Sequence, residues 1–504
     1  MSTQSHFNPT GESGGRVYLL FLLFLISLYS LYTAGITAMA AVCLLPAVAI
    51  FMYFTFKYKM FLFYLLMIVN YFLMYANRCG WLFLPISIHT ELIELMLIAV
   101  ALIDCKELKT GYMGNIMLAA LLLWVAFCAL EIFNDSCGLG INVGAWFTGI
   151  RLMAFQLLYA FIVVSLYINT PERVQHFIVV FALLSLYAVY WTWKQKTFGF
   201  NQPENVFLIV ARRTHFVNGI IRYFSIFSDA ATFGVNMAST AVAFIVMGIT
   251  AKVKKYKLFF LATGLLCVWA FFASGTRTAI ICFIAGIMVF IFLSKSTKIA
   301  IPVVIAFTFF VSFLMFTDIG NGNPMIRRMR SAFNKDDASM GVRDMNKAAL
   351  KKYMVDAPWG IGIGLEAPDI PAYSKFKIVS QIPPDSEYVY IWVRTGKIGI
   401  TVFVISTLMI LLGAVWIILF RIKNPSMRGI ASGFTCAFVS LHLGGYANQV
   451  LMQFPNIILF YGGMTIVYIL PHIEKEYTEY ENKLLAEQAE RKRLKSEKKR
   501  ASRV

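Results

Sequence analysis

The sequence predicts an all-α polytopic membrane protein, with roughly 12–14 transmembrane helices and one large extracytoplasmic loop late in the chain. Three observations carry this prediction. The 504-residue chain is 59% hydrophobic and contains 45 Phe, with a mean hydropathy of +0.70, far more apolar than a soluble domain. Apolar stretches near or above the length of a bilayer crossing recur along it. Lys and Arg gather between those stretches and in the tail, the pattern that sets orientation in a membrane, so the net charge of +19 does not imply a nucleic-acid partner.

In chain order, spans are expected to begin at about Val17, Ala38, Met60, Pro85, Met113, Ile150, Phe177, Phe233, Lys257, Thr278 and Ile299, and then near Lys397, Gly429 and Asn456. This gives helices with short loops over 1–317, a long polar loop over 318–392, three last spans over 393–470 and a charged tail over 471–504. Residues 1–16 are polar and the apolar run after them lacks a small-residue cleavage site, so no cleaved signal is expected.

Charge alternation orients the spans. With a cytoplasmic amino terminus, Lys57/Lys59, Lys106/Lys109, Arg173, the run KVKKYK, Lys295/Lys298 and Arg421/Lys423/Arg428 all fall inside. Both termini are then cytoplasmic and the 318–392 loop is exterior. The tail beyond Pro471 is acidic first and basic last, and reads as a solvated helix or a disordered arm attracted to anionic cytoplasmic lipid. The eight Cys sit mostly in apolar runs as small hydrophobes; Cys79 and Cys137 fall in exterior loops, where a disulfide is conceivable though no spacing requires it.

Two exterior segments keep cations against the charge bias. Residues 194–232 carry Arg212, Arg213 and Arg222, and the turn SGTR places Arg277 at an outer helix end. Such cations either hold an anion or meet outer headgroups and carboxylates. Glu91 and Glu94 share one face of a span at i, i+3 spacing and are read as buried partners for arginines, in preference to a proton relay.

Walker, HExxH, paired CxxC and GxSxG signatures are missing, which disfavours ATP hydrolysis and zinc chemistry. The run PWGIGIGLE, 358–366, reads as a tight bend and not as a phosphate cradle. A cationic outer face together with Asp385-Ser386-Glu387 ahead of a span suits group transfer from a lipid diphosphate. Guanidinium groups would hold the departing diphosphate, and a carboxylate would take the proton of an attacking sugar hydroxyl. No metal or cofactor is expected in such a site. Helix capping is the alternative reading of Asp385 and Ser386.

At these residues the chain resembles the O-antigen ligase and polymerase superfamily of membrane glycosyltransferases. The resemblance rests on Arg222 leading to FSIFSDAATFG, on ASGTRTA around Arg277, on RMRSAFNKDDAS followed by VRDMNKAALKKYMVDAPWGIGIG, and on PPDSEYVYIWVRTGKIGI, together about 214–400. It implies an undecaprenyl-diphosphate-linked glycan as donor and inverting transfer outside the cytoplasmic membrane, to a glycan or lipid-linked acceptor. It further implies that Arg222 and Arg277 contact the diphosphate; Arg212 and Arg213, kept outside against the charge bias, are further candidate contacts for it. Where ligases of the family show a His before the last helices, this chain has Asp385, which is more similar to polymerase relatives and makes Asp385 the candidate base. Ser386, Glu387, Arg343 and His442 are candidate acceptor contacts, His442 as a spatial substitute for that His; Arg343 reads alternatively as loop pairing, and Arg394 as an interfacial anchor. The competing class is a transporter or flippase of a lipid-linked glycan, which predicts two similar halves and mid-membrane polar groups; no repeat is visible.

Overall fold

A computed structural model describes residues 59–103, 110–217, 219–331 and 338–501, with scattered positions from 18 to 58. The first two expected spans, the expected lack of a cleaved signal, Lys106 and Lys109 lie largely or wholly outside the described residues. The described chain is almost wholly helical. In order it forms α1 (Lys59–Arg78), α2 (Ile86–Ile103), α3 (Ile116–Phe133), α4 (Val143–Tyr167), α5 (Pro171–Phe198), α6 (Gln202–Val210), α7 (Ala230–Thr250), α8 (Lys254–Ala273), α9 (Arg277–Leu293) and α10 (Thr297–Phe316). The long loop then holds α11 (Pro324–Arg330), α12 (Ala338–Met354) and α13 (Lys377–Gln381), and the chain closes with α14 (Glu387–Arg421), α15 (Pro425–Ala447), α16 (Ile457–His472) and α17 (Glu474–Ala501).

Ten of these helices are long and apolar enough to cross a bilayer. The apolar α9 is one turn shorter than most, and α16 meets α17 at a 93° bend. The expected all-α membrane fold therefore holds. Three starts move by six residues or more: α4 begins at Val143 instead of Ile150, α5 at Pro171 instead of Phe177, and α14 at Glu387 instead of Lys397, so the last six residues read as loop are helical.

The middle of the bundle is α7, which packs against α8, α9 and α15. Small residues set that closeness, since a membrane interior gives helices no hydrophobic drive to associate and tight packing must supply the energy. A Cβ at Gly433 would stand 2.9 Å from the Ala243 carbonyl oxygen, and one at Gly444 2.4 Å from Val235. Ser239 Oγ donates to Ser440 Oγ at 3.1 Å across the α7–α15 interface, and Asn236 Nδ2 of α7 donates to Asn456 Oδ1 at 2.6 Å, just ahead of α16. By contrast α10 buries very little of itself.

Glu91 takes the partner role read from its spacing: its carboxylate accepts from Arg151 Nε at 2.7 Å and Gln156 Nε2 at 3.1 Å. Glu94 is fully buried, and neither of its oxygens has a hydrogen-bond donor. The tail forms the helix α17, but it is neither fully solvated nor a loose arm. Glu474 accepts the backbone N–H groups of Lys423 and Asn424, and Glu481 pairs with Lys252 at 2.9 Å. Cys79 and Cys137 are not bonded to each other; the buried Cys137 thiol instead donates to the Ile361 carbonyl at 3.3 Å.

The long loop is fastened to the bundle by its glycines. Gly360, Gly362 and Gly364 all have positive φ, which forms the expected bend and lets backbone approach backbone. Gly360 N–H and Gly362 N–H donate to Ala357 and Arg394 carbonyls, and Ile361 N–H donates to Val393. That edge contact is possible because α14 breaks its helical geometry at Gly396, φ 66°. A Cβ at Gly364 would lie 1.8 Å from the Ala145 carbonyl oxygen of α4.

Candidate active site

Where α7 and α9 begin and α15 ends, a cavity of about 890 Å³ opens, roofed by the long loop. Its floor is built on helix starts. Asp229 caps α7, with Oδ1 accepting from Ala231 N–H at 2.7 Å and Thr232 N–H at 2.9 Å, which satisfies two of the donors a helix start leaves open. The turn 274–276 leads directly into α9, so Arg277 occupies the first helical position. Thr276 Oγ1 donates to the Ala230 carbonyl at 2.6 Å and ties the two helix starts together.

Arg222 reaches this floor from the position just after the second of two paired two-residue strands, in which Phe216 pairs with Ile221. Its guanidinium donates to the Thr214 carbonyl at 2.8 Å and to Thr276 Oγ1 at 2.9 Å. Arg328, from α11 in the loop, donates Nε to the Gly275 carbonyl at 2.7 Å. Arg222 and Arg328 thus flank Gly275, where an added Cβ would meet both side chains at 3.3–3.4 Å.

The remaining wall is α12, which presents Arg343, Asn346, Lys347 and Leu350 to the cavity. Their i, i+3, i+4, i+7 spacing defines one helical face. Leu350 is fully buried among Met354, Ile361 and Phe376, which fixes the polar residues one turn earlier over the opening. Asn346 Nδ2 donates to Asp385 Oδ2 at 2.8 Å.

Asp385 and Ser386 do not cap α14 through their side chains. Ser386 is the N-cap residue by position, yet its hydroxyl donates to the Gly445 carbonyl at 3.1 Å. The capping alternative therefore does not account for either side chain.

Of the residues singled out in the sequence, Arg222, Arg277, Arg343, Asp385 and Ser386 meet in the cavity. The others do not. Arg212 and Arg213 lie exposed on the short helix Arg212–His215, outside the lining. Glu387 turns away into the bundle and accepts the Leu451 N–H at 2.9 Å. His442 lies outside the lining: its Nδ1–H donates to the Phe438 carbonyl at 2.9 Å and its Nε2 accepts from the Tyr461 hydroxyl at 3.3 Å, so it does not stand in for the missing His. Arg394 is not an interfacial anchor. It is 7% exposed and pairs with Glu366 at 3.3 Å, holding the loop to α14.

The structure adds residues that the sequence did not single out, chiefly Arg328, Asn346, Lys347 and His215. Arg328 lies within a quoted motif, but two neighbouring arginines obscured it. His215 is buried with Nε2 accepting the Ala230 N–H at 3.1 Å. Burial first, then the nearby Arg222 charge, draws its imidazole down to about 4, against the pull of Asp229.

Electrostatically, Arg222, Arg277, Arg328, Arg343 and Lys347 face Asp229, Asp344 and Asp385 around one opening, and Asp229 is committed to a helix start. Burial and the positive charges of Arg328, Arg277 and Arg343 lower the Arg222 guanidinium to about 10, with Asp229 opposing them. An anion placed among these cations would relieve that repulsion. Among the described residues, no three of His, Cys, Asp and Glu come together as a metal site.

Residues 262–404 match the family model described as O-antigen ligase. The match covers that stretch alone, under a third of the chain, which is similar to O-antigen ligases. Within it lie Arg277, Arg328, Arg343, Asn346 and Asp385, so most of the charged lining falls inside the matched stretch. Arg222 and Asp229 precede it, and Tyr446 and Asn448 follow it. A comparison with curated proteins finds no match.

Proposed function

We propose that the cavity is the active site of a metal-independent, inverting glycosyltransferase. It moves a glycan from undecaprenyl diphosphate to a sugar hydroxyl on the outer face of the bacterial cytoplasmic membrane, in surface polysaccharide synthesis. The observation that carries this reading is the meeting of Arg222, Arg277, Arg328 and Arg343 with Asp385 in one cavity, beside an O-antigen ligase match.

The acceptor oxygen attacks the anomeric carbon from the face opposite the diphosphate. The new C–O bond forms as the bond to the diphosphate oxygen breaks, and the electron pair leaves on the diphosphate. Arginines placed where that charge develops lower the barrier, and their fork geometry suits phosphate oxygens. Asp385 accepts the hydroxyl proton, held by Asn346, which leaves its second carboxylate oxygen for the acceptor.

Purified protein, given only the lipid-diphosphate glycan and an acceptor, should lengthen the glycan or change its carrier and release undecaprenyl diphosphate, with neither nucleotide nor divalent ion. Movement of the intact lipid-linked glycan across vesicles, with no change of length or carrier, would instead establish a flippase.

A further inference from the structure

Helix α17 leaves α16 at 93°, so it runs across the end of the bundle instead of away from it. Its contacts fall in chain order. Glu474 accepts the N–H groups of Lys423 and Asn424 ahead of α15, Glu481 accepts from Asn424 Nδ2 at 3.1 Å and from Lys252 Nζ at 2.9 Å, and Gln488 Oε1 accepts the Lys254 N–H at 2.9 Å at the start of α8. Tyr477, Tyr480 and Leu484 close a small space against Gln175 of α5, Tyr256 of α8 and Ile430 of α15. The docked stripe, Tyr477, Glu481, Leu484 and Gln488, keeps helical spacing and then stops. Every residue from Ala489 to Leu494 is exposed.

The charge of α17 reverses at the same place. Residues 474–490 hold six carboxylates and two Lys, against loops and helix starts that carry Arg173, Lys252, Lys254 and Lys423. Residues 491–500 hold seven Lys or Arg and one Glu. The helix that α17 passes last, α8, stands at the rim of the bundle, with Leu258 68% and Leu265 64% exposed. Beyond Gln488 the helix therefore runs on for about 20 Å past that rim, along the level of the lipid headgroups. The start of α8 adds exposed Lys254, Lys255 and Lys257 on the same side. A helix that met only water would gain nothing from changing sign where it leaves the protein, whereas an anionic surface attracts that half alone.

We propose that α17 from Ala489 onward is a docking arm for the anionic headgroups of the adjacent leaflet. Its acidic half is matched to the cations at the end of the bundle, and its basic half to the lipid beside them. The attraction is electrostatic, summed over many weak contacts, and needs no pocket. It is independent of the chemistry in the cavity.

Hydrogen exchange on the full-length protein tests it, in nanodiscs of phosphatidylcholine alone or mixed with phosphatidylglycerol. With the anionic lipid, amides of 489–501 should exchange more slowly by roughly tenfold, while those of 474–488, already held by the bundle, should not change. About 1 M salt, where screening acts within about 3 Å, should abolish the difference. The combined variant Arg491→Glu, Lys492→Glu and Arg493→Glu should lose the response, and the corresponding Gln variant should weaken it, with 474–488 protected as before in both. Equal exchange in the two lipids, or a full lipid response in the Glu variant, overturns the proposal. The exposed carboxylates of the acidic half make α17 of a second copy the rival occupant. Slowing that requires two copies in one disc and not the anionic lipid therefore also overturns it.

Discussion

Asn346 on the loop helix α12 and Asp385 at the foot of α14 are joined by a 2.8 Å hydrogen bond across 39 residues of sequence. The bond engages one of the two carboxylate oxygens, in a cavity whose lining Asp385 shares with Arg222, Arg277, Arg328 and Arg343. Asp385→Asn keeps the size but removes the base, so kcat should fall by roughly 10²–10⁴-fold with KM little changed. Asn346→Ala should cost less and act through orientation of the carboxylate. Steady-state transfer assays on the two variants check both expectations, and an Asp385→Asn enzyme with wild-type kcat would remove this residue from the chemistry.

Arg277 opens α9 at the edge of the cavity. Arg277→Lys retains the charge but loses the planar fork, so it should lower kcat/KM by about 10²–10³-fold. Membrane insertion and melting temperature should stay near those of the wild type. Unchanged transfer by the inserted variant would reassign Arg277 to headgroup contact.

The loop's attachment predicts a stability effect remote from the charges. Gly364 has φ +79°, and a Cβ there would collide with the Ala145 carbonyl. Gly364→Ala should therefore destabilise the protein by about 1–3 kcal/mol or more, from the backbone strain with the collision added to it. Thermal unfolding in detergent measures this, and a melting temperature equal to wild type would contradict the contact.

His215 gives a pH dependence with a definite sign. Its folded pKa of about 4 lies below the ordinary value of 6.5, so the unfolded chain binds the proton first. Stability should be intact above pH 6.5, fall as the pH drops from there through 4, and level off below. His215→Gln removes the titrating group and should flatten the melting temperature between pH 7 and pH 5. An identical slope in both proteins would show that other groups dominate.

The orientation inferred from the alternating basic loops places α12 outside the cell. A single cysteine introduced as Gly341→Cys, in a background without native thiols, should react with a membrane-impermeant maleimide in intact cells. Protection until lysis would invert the topology.

The fold was largely legible because burial in a bilayer demands length and apolarity, and both survive in the linear sequence. Arg222 and Arg277 were legible because a cation kept outside against the charge bias attracts notice, and Asp385 because it heads an acidic, hydroxyl-bearing stretch just ahead of a span. Arg328 was not. It stands between Arg327 and Arg330 in a seven-residue helix, and only the fold decides which guanidinium turns toward Gly275 and which toward Asn321 and Ile319. Glu387 failed in the opposite way. Two positions from Asp385 it looks equivalent in sequence, but the first turn of α14 rotates it into the bundle, where it anchors Leu451. Arg394 was misread because its partner, Glu366, lies in a loop whose path depends on three left-handed glycines.

The cavity draws its walls from five stretches of chain, of which 214–231 and 443–448 lie beyond the ends of the O-antigen ligase match at 262–404. A segment that a sequence comparison delimits as a unit is therefore not a module that could be excised, transplanted or expressed alone with its chemistry intact. Recombining two such proteins at the match boundaries would separate Arg222 from its anchorage on Thr276. Exchange of specificity between relatives is physically more open within the loop at 324–354, where a single helix face carries Arg343, Asn346 and Lys347 and can change without disturbing the helices beneath it.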